Sequence, residues 1–299
     1  LTDEALRFIE DKKDGPFLLV LAHYAVHTPI QAPEELSEKY RAKIREQGIP
    51  EGGPRSDRDV KVDNTGQYKT VQNNAVYAGM VESVDTNLGR IVDRLQELGL
   101  SENTVLILSS DHGGLSSRGL ESKRELATSN LPYRHGKGWL YDGGLRVPLI
   151  VKWPGKVQAG AVSPVQVTGT DHYPTLLELA GVPLRPEQHS DGRSYSPALS
   201  GETYRRDPMF FHSALGRPAQ TGDTRSSAVI HGDWKLIQWY SLEDESIERT
   251  ELFQISTDPG EQINRYAEET ARAQELESML NEWKNSVNAR LGRFKRGGV

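Results

Sequence analysis

Apolar side chains recur every three or four residues along several stretches of the chain, which is the spacing of one buried helix face. They predict helices over residues 2–14, 74–98, 171–179 and 267–291, with a charged surface helix over 34–45. The 74–98 stretch has the longest pattern, and Gly99 is well suited to follow its last turn.

Three short runs, 17–22, 104–108 and 147–151, are apolar except for Thr104. Runs of this length without polar alternation are typical of strands covered on both faces of a parallel sheet. The order strand, helix, strand predicts a right-handed crossover connection in such a sheet. The stretch from Ile49 to Gln67 lacks any period and is rich in Gly, Pro and charged residues, so it is predicted to be a loop.

The pattern changes after about residue 205. Short strand candidates then follow one another without helices between them, at 209–212, 227–230, 234–240 and 251–255. His231-Gly232-Asp233 between two of them is typical of a hairpin turn. We therefore predict an α/β domain over 1–205 and a small antiparallel sheet with one helix over 206–299.

Composition excludes several classes of protein. The 299 residues carry 36 Lys and Arg against 42 Asp and Glu, a net charge of −6, which argues against nucleic acid as the main partner. The longest purely apolar run, Phe17 to Ala22, is far shorter than the ~18 residues of a membrane-spanning helix. The chain contains no cysteine, which excludes disulfides and thiolate catalysis.

Polar residues follow two of the predicted strands. His27 lies a few residues after the first, and Asp111 and His112 follow the second, before Gly113. Ligands bind beyond the carboxyl ends of strands in open α/β sheets, and a carboxylate beside an imidazole can hold a metal ion. The alternative is a strand-to-loop turn capped by Asp111, which the spacing alone favours.

A glycine-rich stretch surrounds Lys137, which lies between Gly136 and Gly138. Small neighbours allow an oxyanion to approach the ammonium group and nearby backbone N–H groups, and Arg134 and Arg146 add positive charge. The alternative is a solvated lysine on a flexible loop, which this stretch taken alone favours because no regular phosphate-loop spacing is present.

Taken together, these motifs resemble the type I sulfatase family, arylsulfatase-like, in the family's own order. The resemblance is carried by Tyr24-Ala-Val-His27-Thr-Pro29, Ser110-Asp111-His112-Gly113-Gly114, Gly136-Lys137-Gly138 and Gly143-Gly144-Leu-Arg146-Val-Pro148. Further likeness over 74–89, 171–181 and 232–261 extends it across nearly the whole chain.

The resemblance implies an alkaline-phosphatase-like α/β fold, with a mostly parallel sheet flanked by helices and a small C-terminal antiparallel subdomain. It implies hydrolysis of sulfate monoesters, with Ca²⁺ rather than Mg²⁺ and a formylglycine nucleophile. Asp111 and His112 would be metal ligands, while His27 and Lys137 would contact the sulfate group. Among their neighbours, Arg134, His135 and His212 are candidates for contacts to the rest of a sulfated small molecule or glycan.

The chain departs from the family at the nucleophile. Formylglycine forms from Cys or Ser in a Cys/Ser-x-Pro-x-Arg motif, and none of the 16 prolines here has that context. We expect an N-terminally truncated sulfatase, with the formylglycine upstream of residue 1 and this chain alone inactive. Family habit suggests a periplasmic or extracellular address, and the oligomeric state is open.

Two other functions compete with this one. A phosphodiesterase or phosphonate monoester hydrolase of the same superfamily acts on groups with the same tetrahedral oxyanion geometry. A non-catalytic binder of sulfated glycans could use His27, Lys137 and Arg134, and would retain its affinity without calcium.

Overall fold

The computed structural model describes residues 1–52, 59–63 and 66–292. The helices are α1 (Thr2–Lys12), α2 (Glu34–Glu46), α3 (Ala75–Glu97), α4 (Asp142–Leu145), α5 (His172–Leu179), α6 (Ser196–Leu199) and α7 (Thr270–Ser286). The strands are β1 (Val60–Asp63), β2 (Gly66–Lys69), β3 (Leu106–Ser109), β4 (Ser117–Arg118), β5 (Leu149–Lys152), β6 (Met209–Ser213), β7 (Ser226–His231), β8 (Trp234–Tyr240) and β9 (Ile247–Gln254). Every predicted helix is present, with ends shifted by at most a few residues.

The chain forms two compact units. The first consists of residues 1–59, 71–108 and 149–159, and the second of 60–70, 109–148 and 160–299. The predicted boundary between residues 205 and 206 falls within the second unit and stays a prediction.

In the first unit, α1 packs against α3 through the apolar faces that the periodicity predicts. Ala5 and Ile9 of α1 meet Ile91 and Leu95 of α3 in a buried cluster. The Asn74 side chain caps α3 by accepting a hydrogen bond from the Tyr77 N–H at 2.9 Å. This unit also contains the pairing of β3 with β5.

The strand predicted over 17–22 is wrong. This run belongs to none of the sheets formed by residues 1–52, 59–63 and 66–292. Phe17, Leu19 and Leu21 pack against the α1–α3 cluster, whereas Leu18 and Val20 are exposed. The segment therefore alternates between buried and exposed side chains without the ladder of hydrogen bonds that defines a strand.

The loop predicted over Ile49–Gln67 is also wrong in part. β1 lies within it and β2 begins at its end, the two strands form an antiparallel pair, and β2 pairs in turn with β4. Ladder hydrogen bonds to β4 compensate for the low strand propensity of this Gly- and charge-rich sequence. Residues 53–58 and 64–65 of the predicted loop lie outside the described residues.

The second unit also contains the four-stranded antiparallel sheet β6-β7-β8-β9, as predicted. β7 and β8 are joined by the predicted hairpin, in which His231 pairs with Trp234 and Gly232 takes a φ of +59°. Glycine tolerates that left-handed conformation without strain.

The two faces of this sheet bury different parts of the chain. On one face Val229, Leu236 and Leu252 pack against Ala273, Leu276 and Leu280 of α7. On the other face Ile237, Trp239 and Phe253 pack against Trp139, Leu140 and Tyr141. The second contact matters for function, because 139–141 directly follows the glycine-flanked Lys137.

Candidate functional site

Asp111 and His112 lie in the loop that follows β3, in the second unit. The Asp111 side chain is 82% exposed, and its Oδ2 lies 3.2 Å from Nε2 of His112. The other carboxylate oxygen accepts the His112 backbone N–H at 3.0 Å, and Nδ1 of His112 lies 2.9 Å from the Gly113 carbonyl. The carboxylate and the imidazole therefore face each other at an exposed turn, and each of these contacts joins residues that are adjacent in sequence.

Gly113 fixes where this turn meets the next loop. Its N–H donates to the Gly144 carbonyl at 2.9 Å. A Cβ atom at Gly113 would overlap the Gly143 carbonyl oxygen and lie 2.8 Å from its carbon, so no larger residue fits without backbone movement. The glycines that follow Asp111–His112 and Asp142 are thus packed backbone against backbone.

The donor set at this turn does not complete a calcium site. Calcium takes six to eight oxygen ligands, whereas Asp111 and His112 supply one carboxylate and one imidazole. No group of three or more His, Asp or Glu side chains suited to a metal occurs in the part of the chain that the structure describes. Asp111 and His112 can therefore contribute only a share of a larger ligand set.

Lys137 lies on a loop held by Asn130 and by its flanking glycines. Its backbone N–H donates to the Gly114 carbonyl at 3.1 Å. Nδ2 of Asn130 lies within 2.9–3.1 Å of the Ser116 hydroxyl and of the carbonyls of Gly114, His135 and Gly143. A single amide group thus joins the loop before Lys137 to the loop after Asp111.

The electrostatic surroundings of Lys137 include the predicted metal loop. Partial burial lowers the pKa of Lys137, and the positive charges of Arg217 and Arg124 lower it further. The negative charge of Asp111 acts in the opposite direction. Lys137 and Asp111 of the second unit therefore lie close enough to influence each other electrostatically.

Arg134 and His135 are engaged inside the protein. The Arg134 guanidinium lies 4.2 Å from the centre of the Tyr141 ring and donates to Asp63 and to the Glu261 carbonyl, each at 3.2 Å. His135 is 1% exposed, with Nε2 3.3 Å from Asp63 Oδ2, and burial lowers its pKa. These contacts hold the loop that carries Lys137, and substrate contact by either residue stays a prediction.

His212 lies on β6, and both of its ring nitrogens have partners. Nδ1 lies 2.8 Å from the Ser227 hydroxyl, and Nε2 lies 3.0 Å from the Arg290 carbonyl. His27 belongs to the first unit, where it is exposed and Nδ1 lies 2.9 Å from the Thr28 carbonyl. Roles for both residues in substrate binding stay predictions.

The sequence analysis missed a buried ionic cluster beneath the Lys137 loop. Lys235 of β8 is fully buried and donates to Asp142 and, at 2.8 Å, to Glu261. Glu261 also accepts the Asp142 backbone N–H at 2.6 Å. Burial raises the pKa of Glu261 to about 7, against the pull of Lys235. The cluster fixes the start of α4, whose glycines meet Gly113.

A second feature is the segment Arg217–Asp223. The sequence predicts that the stretch Leu215 to Arg225 shapes specificity, as loops on a fixed scaffold often do, but it assigns none of these residues to the site. The Asp223 carboxylate and the Arg217 guanidinium both pack on Gly138, next to Lys137.

The chain matches two family models. Residues 1–182 match the sulfatase family, and residues 134–288 match the C-terminal region of N-sulphoglucosamine sulphohydrolase. The first match alone covers more than half of the chain.

Individual relatives agree with this. A sulfatase of Formosa agariphila is 32% identical over 98% of this chain and 51% of its own length. Human steryl-sulfatase is 32% identical over 71% of this chain and 31% of its own length. The chain thus spans about half, or less, of the length of these relatives.

Solved structures confirm the predicted fold class. The crystal structure of Ps i-CgsB in complex with k-i-k-neocarrahexaose aligns with a TM-score of 0.72 and 25% identity over 97% of this chain and 55% of that one. None of the helices within residues 1–52, 59–63 and 66–292 is long and apolar enough to cross a membrane. With an alkaline-phosphatase-like α/β fold and a C-terminal antiparallel sheet, this chain belongs to the sulfatase family.

Proposed function

We propose that the complete protein to which this chain belongs hydrolyses sulfate monoesters, and that Lys137 binds the sulfate group. The observation that carries the proposal is the construction of the Lys137 loop. Gly136 has no room for a Cβ atom, because that atom would overlap the Gly114 carbonyl and lie 2.6 Å from Nδ2 of Asn130. The backbone that carries this partly exposed lysine is thus closely packed against the loop that follows Asp111.

Such an arrangement suits the charge that develops during sulfate transfer. A preorganised ammonium group stabilises negative charge on the sulfate oxygens and on the departing ester oxygen, and needs no reorganisation during reaction. His27, by family resemblance, would donate a hydrogen bond to the ester. The fixed glycine backbone around Lys137 excludes bulky side chains from the path of the anion.

The proposal assigns the remaining chemistry to a segment outside this chain. That segment would supply the formylglycine nucleophile and further calcium ligands, and Asp111 and His112 would complete the calcium shell. When bound, calcium would polarise the sulfate as a Lewis acid. We extend the proposal to an exported enzyme, periplasmic or extracellular, which rests on family resemblance alone.

Carbohydrate sulfates are the substrates that we favour within this class. The solved relative of similar fold carries an oligosaccharide, k-i-k-neocarrahexaose. The human relative is named for steryl sulfates, which are not carbohydrate esters. The test therefore includes both kinds of compound.

The test measures sulfate release by the full-length protein from p-nitrophenyl sulfate and from N-acetylglucosamine 6-sulfate, with p-nitrophenyl phosphate as the competing substrate. We expect turnover of a sulfate ester, and a loss of kcat/KM of ~100-fold or more for Lys137→Ala because a preorganised charge is removed. Lys156→Ala, an exposed lysine of the first unit, serves as the control.

Three results would contradict the proposal. The first is a kcat/KM of Lys137→Ala within a factor of two of the unmodified protein. The second is a preference for the phosphate ester. The third is robust turnover by residues 1–299 alone, which lack a formylglycine motif. Calcium affinity measured by isothermal titration calorimetry is an independent readout, since Asp111→Ala should weaken it in the full-length protein.

A further inference from the structure

The segment Arg217–Asp223, named here the arginine loop, is closed on itself and attached to the Lys137 loop. The Arg217 N–H donates to the Asp223 carbonyl at 2.8 Å, and the Gly222 N–H returns to the Arg217 carbonyl at 3.1 Å. The indole N–H of Trp139 donates to the Thr221 carbonyl at 2.9 Å. Because Trp139 is itself buried, the arginine loop has a fixed position beside residues 137–139.

Inside the arginine loop, Asp223 is buried next to the Arg217 guanidinium. Asp223 is 1% exposed, and its Oδ1 accepts from the Thr221 hydroxyl and lies 3.8 Å from Nε of Arg217. Its Oδ2 is buried without a hydrogen-bond partner among the residues that the structure describes. A buried carboxylate of this kind needs a nearby cation, and Arg217 supplies it.

The absence of a side chain at Gly138 allows Asp223 and Arg217 to pack next to Lys137. A Cβ atom at Gly138 would overlap Asp223 Oδ1 and lie 2.7 Å from Nη2 of Arg217, and Gly138 has a φ of +97°. The guanidinium therefore lies directly against the backbone of the residue that follows Lys137. Only glycine permits both this approach and this conformation.

Three positive charges, on Lys137, Arg217 and Arg124, act at the site against the negative charges of Asp111 and Asp223. Arg217 and Arg124 act on Lys137 as like charges, and Asp111 is the opposing charge that acts on it. The Arg217 side chain is 43% exposed, so its donors can reach a ligand. Cations held close together in this way repel one another in the absence of an anion, and an anionic ligand relieves that repulsion.

We propose that Arg217 binds a second anionic group, a sulfate or a carboxylate, on the same substrate whose scissile sulfate Lys137 binds. This inference rests on the proposed function and narrows it to polyanionic carbohydrate sulfates. The planar guanidinium matches the paired oxygens of either group. Asp223 is a positioning residue that orients the guanidinium from behind.

The test compares two sugars that differ by one negative group, N-acetylglucosamine 6-sulfate and glucosamine 2-N,6-O-disulfate. Their affinities for the full-length protein are measured by isothermal titration calorimetry, and sulfate release is followed in parallel. The variants are Arg217→Gln and Arg217→Lys, and Arg185→Gln is the control, since Arg185 is an exposed arginine of the same unit.

We expect the unmodified protein to bind the disulfate more tightly than the monosulfate. Arg217→Gln should weaken binding of the disulfate ~10-fold or more, the effect of losing a charge-assisted hydrogen bond, and leave the monosulfate within twofold. Arg217→Lys should recover part of the loss, and Arg185→Gln should change neither affinity.

Two results would overturn the inference. Equal weakening of both sugars by Arg217→Gln would place Arg217 at the scissile sulfate itself, and unchanged affinities would remove it from the ligand site. A selective effect on the disulfate without hydrolysis of any sulfate ester would support the second anion site and contradict the proposed function. The two hypotheses therefore fail separately.

Discussion

The Asp111–His112 turn and the buried cluster of Lys235, Asp142 and Glu261 both place carboxylates against nitrogen-bearing side chains, yet the protein holds them differently. The side chain of Asp111 is 82% exposed, and its partners are its immediate neighbours in sequence. Lys235 and Glu261 are fully buried and come from distant parts of the chain. We propose that the exposed pair serves a ligand, whereas the buried cluster holds the backbone that presents Lys137.

This division follows from the energetics of ion pairs. An exposed pair contributes ~0–1 kcal/mol to stability, so the fold gains little from placing Asp111 beside His112. A buried charge that loses its partner costs several kcal/mol, so the buried cluster tolerates no single substitution well. Sites for ligands and sites for structure can therefore be distinguished by burial even when their residue types are the same.

The largest effect is expected when the Lys235 ammonium group is removed from the buried cluster. Lys235→Met leaves Asp142 and Glu261 buried without the ammonium group, and we expect the free energy of unfolding to fall by about 3–5 kcal/mol. Urea unfolding measures the loss. The matched exposed change, Asp111→Asn, should alter the same quantity by less than about 0.5 kcal/mol.

The double variant Lys235→Met/Glu261→Gln tests whether the destabilisation comes from the unpaired carboxylates or from the altered side-chain volume. It should be less destabilised than Lys235→Met alone, because one of the stranded carboxylates is neutral. Equal losses for Lys235→Met and Asp111→Asn would show that the distinction between structural and ligand-facing charges is wrong.

The sequence could predict elements that depend on local periodicity. The bounds 234–240 of β8 and about 74–98 of α3 came directly from the spacing of apolar residues. The run 17–22 was mistaken for a strand because its composition suits one, while a strand also needs a partner to bond to. β1 and β2 were mistaken for loop because their pairing compensates for an unfavourable composition.

The site could be predicted only as far as its motifs are contiguous. Asp111, His112 and Lys137 stood out through their glycine neighbours, and the structure places all three in one unit. Lys235 lies in the stretch 232–261 that carries family likeness, but neither Lys235 nor Arg217 is predicted as a site residue, because lysine and arginine are ordinarily exposed. Their partners, Glu261 and Asp223, become evident only when the chain is folded.

The next largest loss of stability is expected from a substitution that disturbs the backbone packing around Lys137. In Gly143→Ala the new methyl group would overlap the carbonyl oxygens of Arg134 and His135, and we expect destabilisation of about 3 kcal/mol together with displacement of the Lys137 loop. Thermal unfolding and the intrinsic fluorescence of the buried Trp139 region measure the two effects.

Gly89→Ala provides the matched control for that substitution. Gly89 lies within α3, and its Cβ position has no atom within 4 Å. We expect this variant to be more stable by about 0.5–1 kcal/mol, because alanine favours the helix. Similar destabilisation by both alanines would mean that glycine serves flexibility rather than close packing at residue 143.

The buried cluster should also make the folding stability depend on pH. Burial raises the pKa of Glu261 to about 7 from its ordinary value of 4.5, so the folded protein holds this proton more tightly than the unfolded chain. As the pH rises from about 4.5 to about 7, the unfolded chain loses the proton first, and the contribution of Glu261 to folding stability decreases. The shift corresponds to about 2–3 kcal/mol across this window.

Urea unfolding at intervals of half a pH unit should show this loss, and Glu261→Gln should remove it, since glutamine does not titrate. Glu187→Gln, at an exposed glutamate of the same unit, should leave the slope unchanged. A slope that persists in Glu261→Gln would assign the titration to another group and would show that the cluster is held by its geometry rather than by the protonation of Glu261.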